Sequence, residues 1–193
     1  MARDARKMSL SAFIAGSGHH PAAWRQPDSD LAGSLDLSYW IEGARTAERG
    51  KLDAIFFADV PGSPGHVPGV TDRMPWLNPF EPLTLLSALA VATTRIGLIC
   101  TSSTTYNEPY NLARQFASLD HISRGRAAWN VVTTQGDAAA RNCGQAAAPG
   151  HSDRYDRAAE VREVAKGHCA SWDDGAFGDD DTAERNVYHA EGR

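Results

Sequence analysis

The sequence has little cysteine, and its few cysteines form neither a metal-binding nor a disulfide pattern. Cys100, Cys143 and Cys169 are odd in number, widely spaced and outside any CxxC motif. Structural zinc sites and disulfide frameworks need clustered or paired cysteines. We therefore predict free thiols in the reducing environment of the cytoplasm.

Long hydrophobic runs and an excess of basic residues are also missing. The longest apolar stretches, such as residues 83–92, are too short and too interrupted to span a bilayer. No signal-peptide core follows the basic start of the chain. With 19 basic and 24 acidic residues the net charge is −5, and no basic stripe is available for nucleic acid. We expect neither a membrane nor a nucleic acid as a partner.

The glycine signatures of nucleotide-binding folds are absent too. Gly16-Ser-Gly18 lacks the third glycine and the directly following helix of a dinucleotide site, and no GxxxxGK[ST] phosphate loop occurs. The adjacent His19-His20 pair has no carboxylate or third ligand at metal spacing. We expect this segment to be a loop that closes over a ligand rather than a metal site.

What the chain does contain is an alternation of short apolar runs and segments with helical periodicity. It has 193 residues, 42% of them hydrophobic, enough for one domain with a core. The clearest unit is a strand at 95–101, a helix at 109–123 and a strand at 125–134, the repeating unit of a parallel sheet. The remaining predictions are strands at 8–14 and 54–58, and helices at 38–50 (capped by Ser38), 81–94 and 151 to about 172.

Four such units without a switch-point signature predict an α/β fold, in which parallel β/α units form the first half of a (β/α)8 TIM barrel. A whole barrel takes about 250 residues, so we expect a truncated barrel domain over residues 1–172. Residues 173–193 begin acidic and glycine-rich and lack apolar periodicity, which predicts an irregular tail. The proline-rich segment 60–79 is long for a loop, and we expect its apolar residues to pack over a pocket.

Polar side chains follow the predicted strands at their carboxyl ends, where parallel sheets bind ligands. Asp59 follows one strand, hydroxyl residues at 101–105 end the next, and Thr133-Thr134 end the last. Asp59 either accepts hydrogen bonds from a ligand or caps the following turn. His151 and Tyr155 share a helix face if the last helix begins early, and spacing alone favours a solvent-facing histidine and a packed tyrosine.

Several blocks of the sequence resemble a known family. They are similar to the nitrilotriacetate monooxygenase/dibenzothiophene-sulfone monooxygenase branch of the bacterial-luciferase-like flavin monooxygenases, from about Ser9 to Trp172. The resemblance covers only the amino-terminal part of that family, which folds as a (β/α)8 barrel with insertions. The blocks that carry it are Phe56–Asp59, Glu81–Ala90, Ser103–Tyr110, Ala113–Ser123, Gly125–Thr134, Asp137–Asn142 and Arg154-Tyr155.

The resemblance implies an FMN-dependent monooxygenase of a two-component system. A separate NAD(P)H:FMN reductase supplies reduced FMN, and O2 is used to oxidise a small organic substrate such as an aminopolycarboxylate or a sulfone. Transferred position by position, the resemblance assigns flavin contacts to Asp59, Thr105, His151 and Tyr155, and it puts Asn130 near the flavin ring. It also implies a homo-oligomer. No catalytic residue and no metal ligand is identified.

Departures from the family pattern leave alternatives open. The later barrel strands and their phosphate-binding loops have no counterpart, and residues 143–150 are unlike the family's longer acidic loop. A second interpretation is therefore a non-catalytic truncated fragment that binds flavin weakly or only oligomerises. A third, a hydride-transfer enzyme that uses a deazaflavin, is disfavoured by the block Ala127–Thr133.

Overall fold

The structure of the protein is a computed structural model. It describes residues 8–16, 18–20, 22–30, 33–62 and 80–171. Our predictions for most of the proline-rich loop and for the tail from residue 173 lie outside the described residues.

In the described part of the chain, four parallel strands form one sheet in sequential order. They are β1 (Ser11–Phe13), β2 (Ala54–Phe57), β3 (Gly97–Ser103) and β4 (Ala127–Val132). Each strand lies beside the one before it and the order never reverses, so the sheet has no topological switch point. Right-handed crossovers then place successive helices on the same face. This arrangement confirms the predicted α/β fold of barrel type.

Helices cover one face of the sheet much better than the other. Residues Ile55, Phe57, Leu98 and Cys100 of β2 and β3 belong to a buried core with apolar side chains of the first three helices. The strand register places Phe13, Phe56 and Ile99 side by side on the opposite face, where Phe13 is 47% exposed. No helix in the described ranges is long and apolar enough to cross a membrane. The helices are α1 (Leu37–Arg49), α2 (Pro82–Ala92), α3 (Pro109–Ser123), α4 (Asp137–Asn142) and α5 (His151–Cys169).

Local differences from the sequence predictions lie at the ends of elements, in one short α-helix and in two 3-10 helices at Ala23–Arg25 and Gly33–Leu35. The prediction that Ser38 caps α1 is wrong: the cap is Asp36, whose carboxylate accepts a hydrogen bond from the Ser38 N–H at 2.9 Å. The bounds of α3 agree with its prediction. The six residues of α4 were assigned no helix, because so short a segment shows hardly two turns of periodicity.

Two charged side chains fasten the helices to the amino ends of the strands. The Glu48 carboxylate accepts hydrogen bonds from the N–H groups of residues 94, 95 and 96, at 2.9, 2.5 and 3.0 Å. Burial raises the pKa of Glu48, but these three donors outweigh it and leave the pKa below its ordinary value. The Arg126 guanidinium donates to the carbonyl oxygens of Ala90, Thr93, Ile96 and Ser123. The contacts at the amino ends of the strands therefore stabilise the fold.

Candidate functional site

A pocket lies at the opposite ends of the strands, beyond the carboxyl ends of β2 and β4. Its volume of about 540 Å³ falls within the range of about 300–1,000 Å³ that is typical of small-molecule sites. In a parallel sheet, ligands bind at the carboxyl ends of the strands. The pocket is lined by Asp59, Val60, Val132, Thr133, Thr134, Gln135, His151, Arg154 and Tyr155.

Helix α5 brings three side chains to this pocket because it begins at His151. Positions 151, 154 and 155 are three and four residues apart and therefore lie on one helix face. The rings of His151 and Tyr155 are in contact, with their centroids 4.7 Å apart. Both residues are exposed, whereas Arg154 is only 8% exposed. The early helix start that this shared face requires is therefore present.

Arg157 fixes the start of α5 against the turn that follows β3. Its Nε donates to the carbonyl oxygen of Thr104 at 3.0 Å, and its Nη2 donates to that of Asn107 at 3.2 Å. The N–H and the hydroxyl of Thr104 both donate to the carbonyl oxygen of Val132, at 3.0 and 3.1 Å. The start of α5 and the ends of β3 and β4 therefore form one connected unit around the pocket.

The segment after β2, which carries Asp59, rests on α4. The Asn142 side-chain amide donates to the carbonyl oxygen of Pro61 at 3.1 Å. A Cβ at Gly62 would lie 2.6 Å from the backbone nitrogen of Ala139, closer than real Cβ atoms approach. Only glycine therefore allows this contact, which positions the segment beside the pocket.

Several polar groups at or near the pocket are buried without a described hydrogen-bond partner. Arg154 donates from Nη1 to the carbonyl oxygen of Pro149 at 2.6 Å, but its Nε has no partner. The hydroxyl groups of Thr105 and Tyr106 are also buried and unpaired. Buried polar atoms are nearly always satisfied in proteins, so a ligand or water bound here would meet donors and acceptors that no described residue uses.

The carboxyl group of Asp59 lies in an environment that disfavours its charge. Burial raises its pKa above the ordinary value of 3.8, the charge of Glu81 raises it further, and the N–H of Val60 opposes the change. The raised pKa widens the pH range in which Asp59 can donate a hydrogen bond. Perturbed carboxyl groups in pockets are typical of functional sites.

The structure brings together three of the five residues predicted to contact flavin. Asp59, His151 and Tyr155 line the pocket. Thr105 lies at the same sheet edge, 4% exposed in the turn after β3, with its N–H donating to the Ser103 hydroxyl at 3.2 Å. Asn130 lies within β4 and donates to the Thr101 hydroxyl at 3.0 Å. Neither Thr105 nor Asn130 is among the lining residues.

Arg154 and Gln135 line the pocket but were not proposed as site residues from the sequence. The signal for Arg154 was its spacing, since it lies on the helix face of His151 and Tyr155. None of the described residues of the segment predicted to close over a ligand is among the lining residues of this pocket. His19 Nε2 contacts the carbonyl oxygen of Phe13 at 2.9 Å, and His20 Nδ1 accepts from the Ala22 N–H at 3.1 Å. Within the described ranges, no group of three His, Cys, Asp or Glu residues is placed to hold a metal ion.

Two curated relatives cover nearly all of this chain. N-acetyl-S-(2-succino)cysteine monooxygenase of Bacillus subtilis (strain 168) is 49% identical over 179 residues, which are 92% of this chain and 39% of that protein. Nitrilotriacetate monooxygenase component A of Aminobacter aminovorans is 44% identical over 187 residues, 93% of this chain and 41% of that protein. The chain spans about two fifths of the length of these relatives.

A solved structure of a riboflavin lyase with modified FMN and its substrate riboflavin is similar to the whole fold. Its TM-score is 0.83 and its sequence identity 32%, with 96% of this chain and 42% of that chain covered. Residues 17–185 match the family described as luciferase-like monooxygenase. The chain therefore belongs to the luciferase-like monooxygenase family.

Proposed function

We propose that this chain carries the flavin-binding part of a two-component, FMN-dependent monooxygenase. In this proposal a separate NAD(P)H:FMN reductase supplies reduced FMN, and O2 is used to oxidise a small organic substrate. The observation that carries the proposal is the pocket at the carboxyl ends of the strands, which gathers Asp59 from the segment after β2 and His151 and Tyr155 from α5. The family membership of the chain supports the reaction type.

The residues of the pocket fit a flavin mononucleotide in size and chemistry. FMN has a flat ring with polar edges and an anionic phosphate, and the pocket provides aromatic rings, hydroxyl groups and one guanidinium. The unpaired Nε of Arg154 and the unpaired Thr105 hydroxyl offer donors that no described residue uses. In this proposal Asp59, Thr105, Asn130, His151 and Tyr155 bind and orient the flavin.

When bound, reduced FMN supplies the reaction with O2, and the protein supplies position, hydrogen bonds and exclusion of water. The His151 and Tyr155 rings offer apolar faces together with polar ring atoms. The carboxyl group of Asp59 offers a hydrogen bond whose direction depends on its protonation. Val60 and Val132 make part of the pocket wall apolar.

The names of the relatives support proposals for the partner and the substrate. One relative is called component A, which supports a second component that would be the flavin reductase. Nitrilotriacetate and N-acetyl-S-(2-succino)cysteine both carry several carboxylates. We propose a small organic acid as substrate, with sulfones as the alternative. The three free thiols, of which Cys143 and Cys169 are exposed, support a cytoplasmic location.

Flavin binding tests the proposal directly. Anaerobic titration of the chain with reduced FMN should give saturable binding, and His151→Ala should weaken it by about 1–3 kcal/mol if a buried partner is left unsatisfied. The matched control is His168→Ala, which removes a histidine from the other end of α5, outside the pocket. Equal affinities of His151→Ala and the unmodified chain would reject the proposed role of His151.

The second candidate is a non-catalytic fragment that binds flavin weakly or only oligomerises. It is favoured by the open edges of the described sheet and by the exposure of Phe13. A coupled assay with NADH, a flavin reductase, FMN and nitrilotriacetate separates the two candidates. FMN-dependent loss of nitrilotriacetate supports the monooxygenase, and flavin binding without turnover of this or the succinylated cysteine substrate supports the fragment.

A further inference from the structure

One side of the pocket carries no charge. The segment at the carboxyl end of β4 contributes residues 132–135 to the lining, and all four of these side chains are neutral. We call this segment the neutral wall. The ionisable lining residues come instead from the segment after β2 and from α5; they are Asp59, His151, Arg154 and Tyr155.

The polar side chains of the neutral wall are not used by the described part of the chain. Thr134 is only 7% exposed and lines the pocket, yet its hydroxyl group forms no hydrogen bond with a described residue. Unlike the hydroxyl of Thr105, it is not closed off from its surroundings, so a molecule in the pocket can reach it. The side-chain amide of Gln135 also lines the pocket without a hydrogen bond to a described residue.

The backbone on both sides of these two residues is held in place. Before them, the carbonyl oxygen of Val132 accepts both hydrogen bonds from Thr104. After them, Gly136 has a φ of 98°, a conformation that favours glycine, and the Asp137 carboxylate accepts from the Ala148 N–H at 2.9 Å. The two polar side chains are therefore presented by a fixed segment, which lowers the cost of ordering them around a ligand.

We propose that Thr134 and Gln135 recognise the substrate, and that the group they bind is a neutral amide, as in an N-acylated amino acid. This inference rests on the proposed function, because it names the substrate class of the same pocket. The hydroxyl of threonine and the side-chain amide of glutamine can each donate and accept a hydrogen bond. A secondary amide is also neutral, and it too donates through its N–H and accepts through its carbonyl oxygen.

Two other groups match the neutral wall less well. A carboxylate only accepts hydrogen bonds and finds no counter-charge among residues 132–135, and an unpaired charge is costly to remove from water. A sulfone is neutral, but it also only accepts, so the acceptor oxygens of Thr134 and Gln135 would stay unused. The amide is the group that uses both the donors and the acceptors of this wall.

Two ligands that differ at a single group test the proposal. N-acetyl-S-(2-succino)cysteine carries the amide, and S-(2-succino)cysteine has a free amine in its place. Both are titrated into the chain loaded with reduced FMN under anaerobic conditions, where no O2 is present to consume them. The unmodified chain should bind the acetylated compound more tightly. Gln135→Met keeps the length of the side chain without its hydrogen bonds and should reduce this preference about three- to tenfold, the factor expected for one hydrogen bond.

The variants are chosen so that loss of folding cannot imitate this result. The preference is a ratio of two affinities measured within one variant, so a general loss of pocket structure lowers both affinities and cancels. Thr134→Val keeps the branched shape without the hydroxyl group and should reduce the preference by a similar factor, and Thr134→Ser should recover it. The matched control is Gln115→Met, at an exposed glutamine of α3 outside the pocket, which should change nothing.

The inference and the proposed function fail in different ways. A preference that stays within twofold of the unmodified chain in both Gln135→Met and Thr134→Val overturns the inference alone. So does weaker binding of reduced FMN with the preference intact, because the two residues would then contact the flavin. An unmodified chain without a preference for the acetylated compound overturns the assignment of the amide.

A chain that binds no reduced FMN contradicts the proposed function. The two compounds are then titrated into the flavin-free chain. A preference for the acetylated compound that Gln135→Met removes supports the inference in that case, and the absence of a preference overturns it.

Discussion

Asp59 is a residue whose charge the fold does not favour, and the pH dependence of stability should reveal this. Because its pKa is raised in the folded chain, mainly by burial, the penalty is absent below its ordinary value of 3.8 and complete above the folded pKa. Asp59→Asn should therefore increase the free energy of unfolding at pH 7, and the gain should vanish near pH 3. Urea denaturation of the ligand-free chain at both pH values measures it.

The exposed Asp28 offers the control for this comparison, since Asp28→Asn removes an equal charge away from the pocket. A gain at Asp59 that persists unchanged at acid pH would mean that ionisation of this carboxyl group is not its origin. Removal of the carboxyl group should also weaken binding of reduced FMN if Asp59 has the proposed role, as expected where a functional group is kept at the expense of stability.

Gly62 should be the least replaceable of the described glycines near the pocket. A Cβ there would lie 2.6 Å from the nitrogen and 2.8 Å from the Cα of Ala139. These are backbone atoms of a helix, which cannot move away as the end of a flexible side chain can. Gly62→Ala should lower the free energy of unfolding by about 1–3 kcal/mol and weaken flavin binding by moving the segment that carries Asp59. Chemical denaturation and flavin titration of the variant measure both effects.

Gly43→Ala is the matched control, because Gly43 lies in α1 and an added Cβ meets nothing within 4 Å. Alanine favours a helix over glycine, so this variant should be more stable by about 0.5–1 kcal/mol. Equal effects at the two positions would show that the approach of residue 62 to α4 is looser than the structure has it.

At the scale of elements, Arg126 joins the carboxyl end of α2 to the start of β4. Its guanidinium donates to the carbonyl oxygens of Ala90 and Ile96 at 2.7 and 2.8 Å and to the Thr93 hydroxyl at 3.0 Å. Arg126→Met leaves these acceptors without a protein donor and should lower the free energy of unfolding by about 2 kcal/mol. Urea denaturation tests this, with Arg114→Met on the exposed side of α3 as the control.

Because Arg126 lies at the amino ends of the strands, away from the pocket, a correctly folded Arg126→Met chain should keep its flavin affinity. A large loss of flavin affinity in a fully folded variant would mean that the amino and carboxyl ends of the strands are energetically coupled. Unchanged stability would mean that water replaces the guanidinium at all of these carbonyl groups.

The elements differ in how far the sequence predicted them. The helix α3 was predicted with its observed bounds, because Leu112, Phe116 and Leu119 repeat at helical spacing and all three are buried. The cap of α1 was misplaced by two residues, because Asp36 and Ser38 are both good caps and only the chain direction before the helix selects between them. Helix ends depend on such local choices more than helix interiors do.

At the scale of the whole molecule, the described sheet has two open edges. β1 pairs only with β2 and β4 only with β3 among the described strands, and Phe13 and Val131 are 47% and 39% exposed. Unpaired edges with apolar side chains favour association between chains. The purified 193-residue chain should therefore self-associate with increasing concentration, as measured by sedimentation velocity.

Val131→Lys puts a charge on the β4 edge and should reduce this association. Val91→Lys, at a position on α2 that is 78% exposed, is the matched control and should leave the association unchanged. A chain that stays monomeric at high concentration would contradict the prediction. An equal effect of both lysines would mean that net charge rather than the strand edge controls association.

The sequence by itself determined the order of the strands and helices, the parallel sheet and the polar character of the strand ends, because periodicity and composition act over a few residues. It also determined the family through its long matching blocks. Only the tertiary structure decided that Asp59 meets side chains about ninety residues further along the chain, that Gly62 touches α4, and that Arg154 is buried with an unpaired Nε. These facts depend on distances between elements, which arise only when the helices pack on the sheet and which no local pattern records.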